Sequence, residues 1–146
     1  MKHKVLVFHP YLAPYRIDYF NNFSKNFDLK LYFQFENDPM QKFNTETLKE
    51  QVDFNYDFIL NGFRIFRQSI RYGVFKIIRN ENPNTIITHE FGFFSFVVLF
   101  FKFFNKNKNI KWIITTDDSI GILENMPLHR IISKRILINF IDGLVT

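Results

Sequence analysis

Cysteine is missing from all 146 residues. That excludes a disulfide framework, thiolate metal sites and a thiol nucleophile. Long hydrophobic runs are missing too. The longest apolar stretch, Phe91–Phe101, stops at Lys102, far short of the ~20 residues a spanning helix needs. A buried core helix is the expectation there. Lys2 and Lys4 precede only a brief apolar run, Val5–Phe8, which His9-Pro10 ends. This is too short for the core of a signal peptide. Glycine is scarce, with 5 in the chain, and neither a G-x-G-x-x-G nor a Walker loop occurs. Nucleotide binding in the Rossmann dehydrogenase manner is therefore not expected. A Ser119–His89–Asp117 hydrolase triad lacks the G-x-S-x-G elbow it would need. No spacing of histidines and carboxylates supports a metal.

The residues present point to one globular domain. Hydrophobic residues make up 47% and charged residues 23%, the balance of a folded chain. The 21 phenylalanines stand where leucine or valine would pack as well. Net charge is +5 and the pI about 9.5. That balance favours anionic partners such as phosphorylated ligands or acidic lipid surfaces. No RNA- or DNA-binding motif accompanies it, so nucleic acid is not expected as a partner.

Along the chain, strand-like and helix-like patterns alternate. Val5–Phe8 reads as a strand. The loop His9-Pro10-Tyr11-Leu12-Ala13-Pro14 follows, stiffened by two prolines, and an amphipathic helix carries Phe20, Phe23 and Phe27 on one stripe. Residues 29–35 alternate as a second strand. Residues 36–51 are polar, with a short exposed helix at Thr45–Gln51. A third short strand, 56–60, is closed by the turn pair Asn61-Gly62. A helix over 73–80 faces Val74, Phe75, Ile77 and Ile78 inward. The strand at 85–89 is almost uniformly apolar or β-branched, as a strand covered on both faces is, and 110–115 is another of that buried type. Between them Phe93–Phe104 is helical. A last helix opens at Asn125-Met126-Pro127 and runs to Asp142-Gly143, where Leu144 begins a new apolar run. The pattern predicts an α/β fold: a doubly wound, Rossmann-like, mostly parallel sheet with helices on both faces.

In such a sheet the loops His9–Arg16, His89–Gly92 and Thr115–Gly121 converge at the carboxyl edge, where ligands bind. They bring Arg16, His89, Glu90, Asp117, Asp118 and Ser119 together. Arg16 lies on the apolar stripe of its helix, in the first turn, and points over the sheet edge or pairs with a carboxylate. Each residue also has a purely structural role open to it. Asp117 or Asp118 suits a helix cap or Asx-turn, and His9 and His89 suit hydrogen-bonded strand ends.

The run Val5-Leu6-Val7-Phe8-His9-Pro10-Tyr11-Leu12-Ala13-Pro14-Tyr15-Arg16, the aromatic-rich helix and then Phe27-Asp28-Leu29 resemble the start of GT-B glycosyltransferases of the family-4 type. Ile86–Glu90, Trp112–Asp118 and Asp142–Thr146 fall where that family's amino-terminal domain has its later strands. The resemblance covers essentially the whole chain and only the first half of the family. It implies that residues 1–146 form a single Rossmann-like amino-terminal domain, incomplete at its carboxyl end and lacking the donor-binding domain. Many members carry a glycine pair in the first loop. This chain has Leu12-Ala13-Pro14, which puts a donor contact there in question.

What the resemblance implies is transfer of a sugar from a nucleotide sugar to a hydroxyl of a glycan or lipid-linked acceptor. Configuration would be retained, and neither a metal nor another cofactor would be needed. Asp118, Asp117 or His89 would orient the acceptor hydroxyl or take its proton. Arg16, Tyr15, Tyr11, Glu90 and Ser119 would bind the acceptor. The fragment alone would not turn over. A cytoplasmic location is the default, at the inner face of the plasma membrane where the acceptor is lipid-linked. There the basic His129–Lys134 segment and Phe93–Phe104 would suit an anionic membrane surface. The rival readings are a non-catalytic α/β binding module and a membrane-surface interaction domain.

Overall fold

The computed structural model describes residues 2–38, 40–65, 68–105, 109–117 and 128–146. Strand β1 (Lys4–His9) pairs in parallel with β2 (Asp28–Phe33), and β2 pairs in parallel with β3 (Asn55–Phe58). On its other side β1 pairs in parallel with β6 (Thr85–His89), which pairs with β7 (Lys111–Thr115), which pairs with β8 (Gly143–Val145). The order β3-β2-β1-β6-β7-β8 is that of the Rossmann fold. Between β3 and β6 the chain forms a separate antiparallel hairpin, β4 (Gly62–Ile65) with β5 (Gln68–Arg71).

Helices cover both faces. The alternation along β1 sends Val5 and Val7 to one face and Leu6 and Phe8 to the other. The first face packs against α1 (Pro14–Asn26) through Ile17 and Phe20, and against α2 (Thr45–Lys49) through Leu48. The second packs against α3 (Val74–Glu81), α4 (Phe93–Phe104) and α5 (Leu128–Leu137). Trp112, fully buried on β7, anchors that second core.

Several expectations need adjusting. The strand expected over 29–35 ends at Phe33, although Gln34 and Phe35 still donate to the His9 and Pro10 carbonyls. The last helix stops at Leu137 rather than at Asp142. Asp142 instead accepts from the Trp112 backbone N–H at 2.8 Å and from Lys102 at 2.9 Å. Its opening at Asn125 lies outside the described residues. Phe75 is exposed, not inward, with its ring edge on Phe101. Asn61-Gly62 does not close a turn but leads into the hairpin. A Cβ on Gly62 would lie 2.0 Å from the Ile70 carbonyl oxygen, so only glycine allows that strand pairing. Every residue of β4 is exposed, and no buried stripe marks it in the sequence.

Candidate functional site

Parallel pairing puts the ends of β1, β6 and β7 on one edge. The chain winds away from β1 in opposite directions, so a crevice opens between the ends of β1 and β6. Two histidines stand there, His9 and His89, with ring centroids 4.7 Å apart.

His9 is 6% exposed. Its Nδ1 lies 2.9 Å from the Tyr11 carbonyl. A carbonyl only accepts, so Nδ1 carries the proton and Nε2 is an open acceptor. Burial first, then His89 and Arg16 nearby, lowers its pKa to about 3. His9 is therefore neutral at physiological pH.

Arg16, in the first turn of α1, donates from Nη2 to Asp117 Oδ1 at 2.5 Å. Its guanidinium also stands 5.7 Å from the Tyr15 ring. Among the described residues its buried Nε has no partner. The Arg16 hydrogen bond holds the Asp117 carboxyl below its ordinary pKa, against the opposing effect of burial. A carboxylate so stabilised is a weak base, which suits it to positioning rather than to taking a proton. His89 Nε2 is 3.9 Å from both Asp117 Oδ2 and Glu90 Oε1. Arg130, on α5, reaches Glu90 Oε2 at 3.5 Å.

A buried relay holds the loop after β6. Trp112 Nε1 donates to Thr88 Oγ1 at 3.0 Å, and Ser95 Oγ donates to the Glu90 carbonyl at 2.6 Å. Thr88 and Ser95 hydroxyls are 2.8 Å apart. With the Ser95 proton committed, Thr88 must be the donor between them. The relay, with Glu90 N–H donating to Thr115 O, keeps Glu90 in the left-handed region at φ 58°. A non-glycine residue is held there at a cost of about 1–3 kcal/mol.

Beside His89 lies a cavity of about 400 Å³. One wall carries His89, Glu90, Gly92, Phe93 and Thr116; the other carries Gln34, Phe35, Gln68 and Ser69. Gln34 Nε2 donates to the Ser69 carbonyl at 2.8 Å, tying the hairpin to the end of β2. His89 belongs both to the cavity lining and to the surroundings of Asp117, 3.9 Å from its Oδ2.

Of the residues expected from sequence, Arg16, His89, Glu90 and Asp117 come together. Tyr15 is exposed beside Arg16. Tyr11 turns toward Asp38 and Tyr15; burial and hydrogen bonds to both push its phenol up. Neither tyrosine lines the cavity. Asp118 and Ser119 lie outside the described residues. Sequence reasoning missed Arg130, Thr116 and the hairpin residues Gln68 and Ser69. The hairpin strands bury no face, so the hydrophobic pattern held no signal for Gln68 and Ser69. Among the described residues no three His, Asp or Glu side chains are grouped to hold a metal ion, and no helix is long and apolar enough to cross a membrane.

Fold and site define a Rossmann-like α/β domain with a crevice at its topological switch point. Among solved structures, the crystal structure of a protein of unknown function from Vibrio parahaemolyticus is similar, with a TM-score of 0.51 and 14% identity over 99% of this chain and 92% of that one. At that identity the likeness concerns the fold alone. No protein-family model matches the chain, and no curated protein does.

Proposed function

We propose that this domain is the acceptor-binding side of a GT-B glycosyltransferase, with a second domain supplying the nucleotide sugar. The observation that carries this reading is the grouping of His89, Arg16 and Asp117 at the switch point, next to a 400 Å³ cavity. The cavity has aromatic walls, including Phe35, Phe91 and Phe93, with Gln34, Gln68 and Glu90 among them. Flat apolar faces with a few polar groups suit a sugar ring. In this reading His89 accepts the hydrogen bond of the attacking hydroxyl, and Asp117 and Arg16 fix its ring. Developing negative charge on a leaving phosphate would meet Arg16. Transfer with retention, without a metal, is part of the same proposal.

A lipid-linked acceptor is supported by the outer faces of α4 and α5. Phe100, Phe103, Phe104, Leu128, Ile132 and Ile136 are all exposed. Neither helix carries an acidic residue, and Lys102, Arg130, Lys134 and Arg135 lie on them. Aromatic and aliphatic residues among cations fit an anionic bilayer surface, which would place the domain at the cytoplasmic face of the membrane.

Saturation-transfer NMR on the purified chain tests the reading, using glycans, lipid-linked sugars in micelles and nucleotide sugars. Glycan or lipid-linked sugar should bind, and His89→Ala should abolish that binding. Binding of nucleotide sugars alone would assign the crevice to a donor instead. Binding of neither class would favour a non-catalytic module.

A further inference from the structure

The amino terminus of α4 opens into the cavity without a cap. Gly92 at the N-cap position has no side chain and makes no side-chain cap hydrogen bond. A Cβ built on Gly92 would meet nothing within 4 Å, so the approach is open. The first turn of this 12-residue helix therefore turns N–H groups that lack an intrahelical partner, and the positive end of its dipole, toward the cavity. A second observation is independent of the helix. Thr116, at the end of β7, is 4% exposed, and among the described residues its Oγ1 has no hydrogen-bond partner. Thr116 lines the same cavity as Gly92 and Phe93. A buried hydroxyl left unpaired carries a real desolvation cost, which a bound acceptor atom would relieve. Arg130 lines the cavity as well. Among the described residues, the carboxylate of Glu90 is the one opposing charge in the lining. Arg130 stands 3.5 Å from it and His89 3.9 Å.

We infer that the α4 end of the cavity is a seat for a phosphate-class oxyanion, held by the N–H groups of the first helical turn, the Thr116 hydroxyl and the Arg130 guanidinium. The relay from Trp112 through Thr88 and Ser95 to the Glu90 carbonyl preorganises the seat. It fixes the loop that aims the helix end. Calling the phosphate part of an acceptor rests on the glycosyltransferase reading. The seat itself does not.

The test is a titration of the isotope-labelled chain with inorganic phosphate, followed by backbone amide shifts. Phosphate should move the Gly92, Phe93 and Phe94 amides in a saturable way. Thr116→Val should weaken phosphate binding about tenfold, the loss of one hydrogen bond to a charged group. It should leave thermal stability unchanged or raised, because the valine removes an unpaired polar atom. Thr116→Ser should restore binding. A merely structural threonine would give the reverse, with lost stability and unaltered binding. Glycerol phosphate and vesicles containing phosphatidylglycerol form separate arms, so a free phosphate and a lipid headgroup are distinguished. Shifts confined to other residues, or equal binding by wild type and Thr116→Val, overturn the seat. Phosphate binding here together with no glycan or lipid-linked sugar binding would leave the seat standing and remove the glycosyltransferase reading.

Discussion

His9 and His89 face each other across the switch point of the sheet, with ring centroids 4.7 Å apart and planes inclined at 42°. One closes β1 and the other closes β6, strands that are neighbours in the sheet although far apart in sequence. Two adjacent imidazoles cannot both be charged cheaply in a buried crevice. His9 is the one the structure keeps neutral: burial first, then His89 and Arg16, outweigh the Tyr11 carbonyl, which by itself favours the protonated ring.

His9 should stay in its Nδ1–H tautomer across the physiological range. Its pKa is lowered from the ordinary 6.5 to about 3. Between those values the unfolded chain binds a proton that the folded chain refuses, so folding stability falls as pH drops through that window and is fully present above pH 6.5. Nitrogen-detected histidine spectra check this. A His9 resonance that titrates near pH 6.5 would contradict the assignment.

The Arg16–Asp117 pair should matter for ligand binding more than for folding. Both side chains reach solvent, and Asp117 is 57% exposed. Arg16→Gln and Asp117→Asn should each change stability by less than about 1 kcal/mol. Binding of the acceptor should weaken in both, and a double-mutant cycle on affinity should show the two effects to be coupled. Additive effects would mean that the pair does not act as a unit.

At the opposite edge of the sheet, Glu81 gathers Lys4 at 2.9 Å, Lys30 at 2.7 Å and the Tyr32 hydroxyl at 3.0 Å. Burial alone would raise the Glu81 pKa, but Lys30, Lys4 and Tyr32 outweigh it and lower it to about 2. The stability this contributes is present above the ordinary value of 4.5 and is lost as pH falls toward 2. Glu81→Gln should cost about 1–2 kcal/mol at neutral pH and flatten the acid limb of the stability profile. Urea denaturation at several pH values measures both.

Ser95→Ala removes the middle of the buried relay. Thr88 then loses its acceptor and the Glu90 carbonyl its donor. A loss of about 1–3 kcal/mol is expected. Amide exchange in the Glu90–Gly92 loop should accelerate beyond what the global loss predicts, because the left-handed Glu90 loses its restraint. A uniform acceleration would show that the relay serves the core as a whole.

Membrane contact is tested by vesicle sedimentation. The chain should pellet with phosphatidylglycerol vesicles and not with neutral ones. Phe100→Ser with Phe104→Ser should reduce pelleting strongly while leaving thermal stability within about 1 kcal/mol, since both side chains are mostly exposed. Equal pelleting with neutral vesicles would remove charge complementarity from the account.

The succession of strands and helices was legible because burial imposes periodicity on side chains. The bounds of α4 are those read from sequence, Phe93–Phe104, and β1, β6 and β7 fall within a residue of expectation. Parallel order followed from strands apolar on both faces. From that order came the convergence of Arg16, His89, Glu90 and Asp117 on one edge. The hairpin was not legible, because its strands bury no face and leave the hydrophobic pattern silent.

Sequence alone determined the class of fold and the edge at which its polar loops meet, because both depend on local periodicity and on the single hand of β-α-β crossovers. It named Arg16 and Asp117 but did not say that they pair, nor that His9 is neutral, nor that, among the described residues, Thr116 keeps an unpaired hydroxyl in the lining of the cavity that Arg130 and the start of α4 share. Those facts depend on distances between residues up to about a hundred positions apart, such as the 2.5 Å from Arg16 to Asp117. They depend also on how much water each group loses. Only the packed tertiary structure decides both.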